Sequence, residues 1–414
     1  MQNIWKNWPE FNQIIKNKEV VFFGVAEDWF AKTLKKSDPN LIYIVDNSES
    51  RIGKKQFVNE KIGELEVKSP KVLKDKGDDV YVVITSGAYR SIVPQLESFG
   101  LKKGKDFCCS PALNNLKVIS DIDACKTKLL VCSPDHKIYS ELDKSKITGG
   151  GLYLYDIADR TSEKVFAGTI HNIIDAGDRY YVLDEVRCVL VLSKEFELIR
   201  EFGFEMNAKT HGLAYDAIRN QVFVGKTDLS KVSVYNADNY KLEFEIQLSD
   251  KYSRYKQDQH HLNDLCVKGD YLYVSLFSFS GNWQRGIFDG GILEIDLNNP
   301  DKRRVVISGA WMPHSACFIG GDLCYLDSMR GKFYKGAQRV AGTFGGNFIR
   351  GLAFDGKYYY IGTSESRYFN RLKGMVDYIS MNGGFYLFDD ESKAGKFFDI
   401  PQVRQVRNLI VYKD

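Results

Sequence analysis

The feature that most constrains this sequence is a histidine or arginine that opens a short apolar run at six places in its C-terminal part. The spacings between successive members are 40, 50, 53, 36 and 57 residues, and four of the six histidines of the chain occupy this position. A recurring period of this size indicates a repeat architecture in which each member opens one unit. The six residues are His171, His211, His261, His314, Arg350 and Arg407.

The unit that begins at His211 shows what each repeat contains. Four runs with β-strand character follow one another and are separated by turn-forming residues, at 211–215, 221–225, 232–235 and 244–248. The third strands of three units also resemble each other, since each begins with paired glycines and ends in aspartate, at 150–156, 290–296 and 383–389. Repeats of four strands with this period are typical of a β-propeller.

The two ends of the repeat region complement each other. Residues 128–168 supply three strands without an innermost strand, and residues 407–412 supply an innermost strand with nothing after it. Joining them closes a ring of six blades and removes the open sheet edges that an unclosed array would expose. We therefore predict a six-bladed β-propeller over residues 120–414, closed by the C-terminal strand.

The first 115 residues have a different pattern, in which strands alternate with helices. Apolar runs at 19–24, 41–47 and 79–86 alternate with helical patterns at 29–36 and 89–99, which predicts a parallel sheet with right-handed crossovers. The predicted fold class is therefore multidomain, α/β plus all-β, with a small Rossmann-like parallel-sheet domain at 1–115 before the propeller.

A nucleotide site in the first domain has weak support. Gly24 ends the first strand, Asp46 follows 22 residues later where a ribose-binding acid would lie, and Thr85 ends the third strand. The second and third glycines of the phosphate loop are missing, and Glu27 and Asp28 would repel a pyrophosphate. These three residues are the candidates for binding NAD or a nucleotide-sugar, but a scaffold or recognition domain is the favoured interpretation.

Composition excludes several classes of function. Hydrophobic residues make up 44% and charged residues 27% of the chain, as in soluble globular proteins. The formal net charge of +3 argues against a nucleic-acid partner. The sequence shows no run of the ~20 apolar residues that a membrane helix needs, no signal-peptide pattern and no C-x-x-C pair. We expect a cytoplasmic protein without membrane insertion and with a small-molecule partner.

Propeller geometry places the six leading residues around one mouth of the central channel. A wider ring is expected from residues near the ends of second strands, namely Lys226, Asp327 and Glu365, with Asp184 and Glu185. Long loops at 134–149, 278–289 and 365–382 would cover the same opening and carry further basic and aromatic side chains, among them Arg285, Arg367, His136, Trp283, Tyr368 and Arg371. Such loops over a polar mouth are typical of a ligand site.

Three interpretations of this ring remain open. The four histidines could bind a divalent transition metal, which the two arginines would disfavour unless an anion intervened. Alternatively, arginine and histidine together could hold a carboxylate or phosphate while a histidine moves protons. In the third, the six side chains only hydrogen-bond across a water-filled channel and hold the blades together.

Two resemblances extend these interpretations. The segments 261–265, 289–291, 312–315, 326–328 and 348–354 resemble, in order, those of a bacterial family known as a β-propeller domain of unknown function. In the first domain Asp46-Asn47, Gly53-Lys54, Ser69-Pro70 and Thr85-Ser86, with Arg90 and Gly100, resemble the small Rossmann-like domain of bacterial sugar-modifying enzymes. The second resemblance implies a pathway of surface-polysaccharide synthesis.

Together these observations predict an enzyme of bacterial surface-glycan or nucleotide-sugar metabolism, of the isomerase, epimerase or lyase type. His171, His211, His261 and His314 would bind a metal or transfer protons, and Arg350 and Arg407 would hold an anionic sugar-type substrate. Lys226, Asp327, Glu365, Arg367 and Arg285 are the further candidates for substrate contact. The alternative is a non-catalytic propeller that binds a glycan or a partner enzyme in a biosynthetic assembly.

Overall fold

The structure is a computed structural model and describes residues 3–25, 27–74, 79–135, 150–206, 208–342, 344, 348–365 and 382–413. The chain forms two compact units, Met1–Asp123 and Ala124–Asp414. Among the helices described, none has the length and apolar character needed to cross a bilayer.

The N-terminal unit is an α/β domain built on a mixed sheet. Its elements in chain order are α1 (Trp8–Ile15), β1 (Glu19–Phe23), α2 (Glu27–Lys36), β2 (Asn40–Val45), β3 (Lys55–Asn59), β4 (Gly63–Lys68), a 3-10 turn (Pro70–Leu73), β5 (Tyr81–Ile84), α3 (Tyr89–Ser98), β6 (Phe107–Cys109), a 3-10 turn (Pro111–Leu113) and α4 (Asn114–Asp123). The strand order is β3-β4-β2-β1-β5-β6. The pairs β4-β2, β2-β1, β1-β5 and β5-β6 are parallel, and β3 pairs antiparallel with β4 at one edge.

The central strands of this sheet are buried on both faces, because helices cover both sides of the sheet. Val21 and Phe23 pack with α3, while Val20 and Phe22 face the opposite way and pack with α1 and α2. This alternation follows from the two-residue period of a strand. The helix α4 extends past residue 115, where the sequence predicted the domain to end.

The second unit is the predicted β-propeller. Its elements are β7 (Lys128–Ser133), β8 (Gly151–Asp156), β9 (Thr161–Ala167), β10 (Ile170–Asp175), β11 (Tyr180–Asp184), β12 (Cys188–Leu192), β13 (Leu198–Phe202), β14 (Thr210–Asp216), β15 (Gln221–Lys226), β16 (Lys231–Asn236), β17 (Leu242–Gln247), α5 (Lys251–Tyr255), β18 (Leu262–Lys268), β19 (Tyr271–Leu276), a 3-10 turn (Trp283–Arg285), β20 (Gly290–Asp296), β21 (Arg303–Ala310), β22 (Pro313–Ile319), β23 (Asp322–Asp327), a 3-10 turn (Ser328–Arg330), β24 (Lys332–Lys335), β25 (Gln338–Gly342), β26 (Phe348–Phe354), β27 (Tyr359–Ser364), β28 (Gly384–Phe388), β29 (Gly395–Asp399) and β30 (Asn408–Tyr412).

In the described part of this unit the strands form six antiparallel sheets of four strands each. Blades I to V are β10–β13, β14–β17, β18–β21, β22–β25 and β26–β29, and blade VI has the order β30-β7-β8-β9. In blade VI the C-terminal strand pairs with β7, from Asn408 opposite Cys132 to Tyr412 opposite Lys128. The predicted closure of the ring by the last strand is confirmed.

Each blade is buried between its two neighbours, which explains the apolar runs in the sequence. In β15 of blade II, Val222 and Val224 pack in a cluster with blade I, whereas Phe223 packs in a cluster with blade III. The outermost strands are exposed, as the burial of β13 and β17 shows. The innermost strands β10, β14, β18, β22, β26 and β30 contact one another in sequence around the central channel.

Candidate functional site

Five of the six leading residues, those of blades I to V, lie where the innermost strands depart from regular pairing. In the described pairings of blades I to V, the register between the innermost and second strands shifts near each leading residue. His171 falls between the paired residues Ile170 and Asn172, and His211 falls between Thr210 and Gly212. An extra residue in one strand bends it and changes the direction of its side chain, and such bulges are common beside functional sites.

The side chains of these residues meet in one row of ring contacts. The centroids of His171 and His211 are 4.8 Å apart and those of His211 and His261 are 5.0 Å apart. Phe277 continues the row, with its centroid 4.2 Å from His261 and 5.2 Å from His314. Residues from four consecutive blades, I to IV, therefore converge on one end of the channel.

The row continues into blade V through an arginine. The ring of Phe348 lies 5.1 Å from that of His314, and the guanidinium of Arg350 lies 4.9 Å from the Phe348 centroid. Arg350 is buried, with 3% of its surface exposed. Burial lowers the pKa of His314, and the charges of Arg350 and Arg407 lower it further, so both arginines lie within electrostatic range of this histidine.

His171 is a buried imidazole held by a carboxylate. Its Nε2 lies 3.1 Å from Oε2 of Glu185, the residue after β11. Burial, reinforced by the charge of Arg407, lowers the pKa of His171 to about 4. The hydrogen bond from His171 lowers the pKa of Glu185 to about 2. At neutral pH the pair is therefore a neutral imidazole that donates its Nε2–H to an ionised carboxylate.

His261 and His314 each have Nδ1 engaged by a protein acceptor. Nδ1 of His261 is hydrogen-bonded to Oδ2 of Asp258, whose other oxygen accepts the His261 backbone N–H at 2.8 Å. Nδ1 of His314 lies 2.8 Å from the Met312 carbonyl and 2.8 Å from Ser328 Oγ. Donation from Nδ1 leaves Nε2 of each ring with its lone pair.

His211 differs from the other three. Only 8% of its surface is exposed, and within the described residues its Nδ1 has no hydrogen-bond partner. Burial and the neighbouring His171 hold the pKa of His211 well below its usual value. A neutral, buried imidazole with an unsatisfied nitrogen costs stability unless a bound species completes it.

Two further carboxylates beside the histidines were not predicted. Asp258 precedes His261 by three residues, and Asp228 follows β15. Burial raises the pKa of Asp228, with Lys209 opposing the shift and Asp258 and Glu185 adding to it. The spacing of Asp258 and His261 in the sequence is the one signal that could have indicated their pairing.

Below the histidines the channel holds a second polar layer. Asp264, Asn172, Ser315 and Asn408 line a cavity of about 260 Å³ formed by the innermost strands. Burial raises the pKa of Asp264 to about 6, although Arg350 and Arg407 oppose the shift and Oδ2 accepts the Ser315 N–H at 2.6 Å. Asn408 donates from Nδ2 to Asn172 Oδ1 at 2.5 Å, which joins blades VI and I.

An aromatic cluster borders the histidines on the side of blades III to V. Phe277, Met312, Met329 and Phe348 are buried in it, and Trp283, Phe288 and Trp311 are partly buried against them. The Trp283 ring lies 4.8 Å from that of His261. The end of the channel therefore has an imidazole and carboxylate side and an aromatic side.

Glu185 of the predicted wider ring contacts His171, whereas Lys226 and Asp327 of that ring have structural partners. The Lys226 ammonium is buried, donates to the Gly203 carbonyl and lies 3.5 Å from Cys188 Sγ. Asp327 accepts the Trp311 N–H at 3.1 Å and pairs with Arg330. Lys226 is therefore tied to the preceding blade and Asp327 to segments beside its own strand, so both side chains are held by protein groups.

The other three residues predicted to contact substrate, Glu365, Arg285 and Arg367, are in three different situations. Glu365 accepts from Arg404 Nε at 2.8 Å, which ties the end of β27 to the segment before β30. Arg285 is exposed in the turn after Trp283. Arg367 lies outside the described residues, as do His136, Tyr368 and Arg371.

The three candidates of the N-terminal unit lie together but are bonded to protein groups. Thr85 Oγ1 donates to the Gly24 carbonyl at 2.5 Å. Gly24 has φ +96°, and a Cβ there would lie 2.6 Å from that of Ser86, so glycine is required. Asp46 accepts the Ser48 N–H at 2.8 Å and pairs with Arg51 at 3.2 Å. Asp46 also accepts the Val25 N–H at 3.4 Å, so the acid expected to hold a ribose already has three partners.

Comparison with known proteins gives distant structural similarities and a family of unknown function. One similar structure is a chain of a nidogen/laminin complex, with 11% identity, a TM-score of 0.47, and coverage of 69% of this chain and 98% of that chain. Another is a protein of unknown function from Bacteroides caccae, with 12% identity, a TM-score of 0.46, and coverage of 70% and 100%. No curated protein matches. Residues 207–389, which include β14 to β28, match the family described as "Domain of unknown function (DUF4915)".

Proposed function

We propose that the axial site is the active site of an enzyme that acts on a small anionic, sugar-type substrate by proton transfer. The observation that carries the proposal is the row of four imidazoles in which each ring contacts the next directly or through Phe277, with two guanidiniums in electrostatic range. Neutral imidazoles accept protons, and guanidinium groups hold carboxylate or phosphate.

His261 is the base that we assign to this reaction. Its Nδ1 is bound to the Asp258 carboxylate, so Nε2 carries the lone pair that would take a proton from the substrate. The carboxylate then stabilises the imidazolium that forms and fixes the ring orientation, as in other Asp–His pairs. Removal of a proton beside a carbonyl or carboxylate is the first step of isomerases, epimerases and lyases.

Arg350 and Arg407 are the groups that we assign to the substrate anion. A negatively charged group on a substrate would offset the free-energy cost of burying the guanidinium of Arg350. The aromatic side of the site, which includes Trp283, would pack against the apolar face of a sugar ring. Both features favour a sugar acid or sugar phosphate over a neutral apolar ligand.

The biological setting is part of the proposal. The resemblance of the first domain to those of sugar-modifying enzymes supports a place in bacterial surface-glycan or nucleotide-sugar metabolism. With Asp46 already bonded to Arg51 and Ser48, we assign the N-terminal unit to recognition or scaffolding.

Hydrogen exchange tests this function directly. The protein would be incubated in D₂O with a panel of sugar acids and sugar phosphates, and ¹H NMR would follow loss of the carbon-bound proton beside the acidic or carbonyl group. We expect exchange with wild type, a rate lower by about 10²–10⁴ in His261→Gln, and no change in Arg339→Gln, an exposed control. Ligand binding without exchange would instead identify a non-catalytic binding propeller.

A further inference from the structure

We propose that His171, Glu185 and His211 form a binding site for one divalent transition-metal ion. This inference deepens the proposed function, on which it rests only for the statement that a substrate would complete the coordination. From the sequence, all four histidines are candidate ligands. The structure points instead to a mixed set of two imidazoles and one carboxylate from blades I and II.

The geometry of the three side chains is close to that of a metal site. In the described part of the chain, they are the one group of at least three His, Cys, Asp or Glu side chains whose ligand atoms lie within 4.8 Å of one another. His171 Nε2 and Glu185 Oε2 are 3.1 Å apart, and an ion bound between them would replace the proton of their hydrogen bond, with the neutral ring then carrying its proton on Nδ1. Two ligands at ~2.0–2.2 Å from one ion lie roughly 3 Å apart when the angle between them is about 95°.

The third ligand needs only a small movement. To bring the widest separation from 4.8 Å to the roughly 3.3 Å of tetrahedral ligands, one ring has to shift by about 1.5 Å. A change in side-chain torsion supplies such a shift without moving the backbone. The near-parallel stacking of His171 and His211 already holds both rings beside Glu185.

His211 supplies an independent sign of a missing ligand. It is more than nine-tenths buried, and among the residues that the structure describes no group bonds to its Nδ1. Leaving a buried polar atom unsatisfied costs on the order of 1–3 kcal/mol. A metal ion near this imidazole would account for a histidine at a position where an apolar side chain would otherwise be favoured.

The other two histidines are less suited as ligands of the same ion. Nδ1 of His314 bonds to Met312 and Ser328, and Nδ1 of His261 bonds to Asp258, so only Nε2 of each ring could bind an ion. Neither ring belongs to the group whose ligand atoms lie close together. His261 instead contacts the edge of the site and is placed to act as the base.

The surrounding charges permit a dication. Asp228 lies within electrostatic range of both Glu185 and Asp258, and these carboxylates oppose the positive charge of Lys209 and Arg407, which also act on Glu185. Two imidazoles and one carboxylate suit zinc, iron, manganese or cobalt. Three protein ligands leave at least one position open, as in catalytic rather than structural sites. A hydroxyl or carboxylate of a substrate held by Arg407 would occupy it.

Metal binding can be measured without a substrate. Untagged protein treated with chelator would be titrated with Co²⁺, followed by its visible absorption, and with Zn²⁺ by calorimetry. We expect one ion per chain, and affinity reduced at least 10-fold in Glu185→Gln and His211→Gln. His314→Gln is the matched control, because it removes a buried imidazole of the same row outside the three ligands, and it should keep wild-type affinity.

The outcomes separate this inference from the proposed function. Absence of saturable binding to wild type, or unchanged affinity in both ligand variants, would overturn the metal site. Equal losses in His314→Gln and His211→Gln would overturn the three-residue set in favour of four histidines. Circular dichroism checks folding, and Glu185→Gln carries the test if His211→Gln unfolds, since Glu185 is partly exposed. Metal binding without hydrogen exchange would remove the proposed reaction and leave the site.

Discussion

The imidazole rings of His171 and His211 lie parallel, with centroids 4.8 Å apart and planes 8° apart, although they come from two neighbouring blades. Both rings are buried, and burial lowers the pKa of each. Two imidazolium ions at this separation would repel strongly in a medium of low dielectric constant. The stacked pair is therefore neutral at physiological pH, so each ring keeps one nitrogen lone pair.

Replacing His211 by leucine should separate stability from function. Leucine fills a similar volume and removes the nitrogen that lacks a partner, so the metal-free variant should melt at the wild-type temperature or up to about 3 °C higher. His314→Leu is the control, because it breaks the bonds to Met312 and Ser328 and should lose about 1–2 kcal/mol. Thermal unfolding in chelator measures both. A fall of more than about 4 °C in His211→Leu would contradict the prediction.

Asp264 should make stability depend on pH. Burial raises its pKa to about 6, while an aspartate in the unfolded chain titrates near 3.9. Between about pH 4 and 6 the folded protein keeps a proton that the unfolded chain has released, so this residue lowers stability as the pH rises through that window.

Asp264→Asn cannot titrate and should gain stability relative to wild type across the same window, by on the order of 2 kcal/mol, with a constant difference above pH 6. Urea unfolding at pH 4, 5, 6 and 7 measures the difference. The exposed Asp159→Asn serves as control. A difference that does not change with pH would show that Asp264 is not protonated in the folded state.

Arg350 should determine affinity for anionic ligands. Arg350→Met removes a buried guanidinium, so we expect binding of a sugar acid to weaken at least 10-fold, or about 1.4 kcal/mol, while Arg350→Lys keeps the charge and loses less. Calorimetry with the acid and with its uncharged amide gives the comparison. Equal losses for both ligands would mean that Arg350 shapes the site without contacting the anion; Arg339→Gln, an exposed arginine, should change neither.

Asp258 should affect turnover more than substrate binding. Asp258→Asn replaces the acceptor of the His261 Nδ1–H, so the tautomer with a free Nε2 loses its support and kcat should fall about 10²–10⁴-fold with little change in KM. The measurement is the exchange rate as a function of substrate concentration. A change confined to KM would assign Asp258 to substrate binding instead.

The strand that closes the ring should be essential for stability. Leu409 in β30 is fully buried, and Leu409→Ala should cost about 2–5 kcal/mol because it leaves a cavity in the pairing of β30 with β7. Ile218→Ala is the matched control, since Ile218 is 90% exposed. Urea unfolding distinguishes them, and a loss below about 1 kcal/mol for Leu409→Ala would mean that closure contributes little.

Sequence by itself determined the architecture of this protein. The alternation of Val222, Phe223 and Val224, the turns between the four runs and the unmatched strands at the two ends are local patterns, and they predicted the six blades and their closure. The same reasoning placed His211 and its counterparts at the starts of innermost strands, since this position follows from strand order alone. The short pair β3 and β4 was missed because neither strand has a long apolar run.

Only the tertiary structure decided how the site is arranged. Glu185 meets His171 through the end of a neighbouring strand, and Asp258 holds His261 across a turn. Lys226, a sequence candidate for the site, instead bonds to Gly203 of the adjacent blade. The sequence spacing within these pairs does not recur from blade to blade, so no repeat pattern predicts them. They depend on β-bulges and on the packing of one blade against the next. The contacts of His211 with His171 and His261 likewise form only when neighbouring blades pack together, because these residues are 40 and 50 positions apart in the chain.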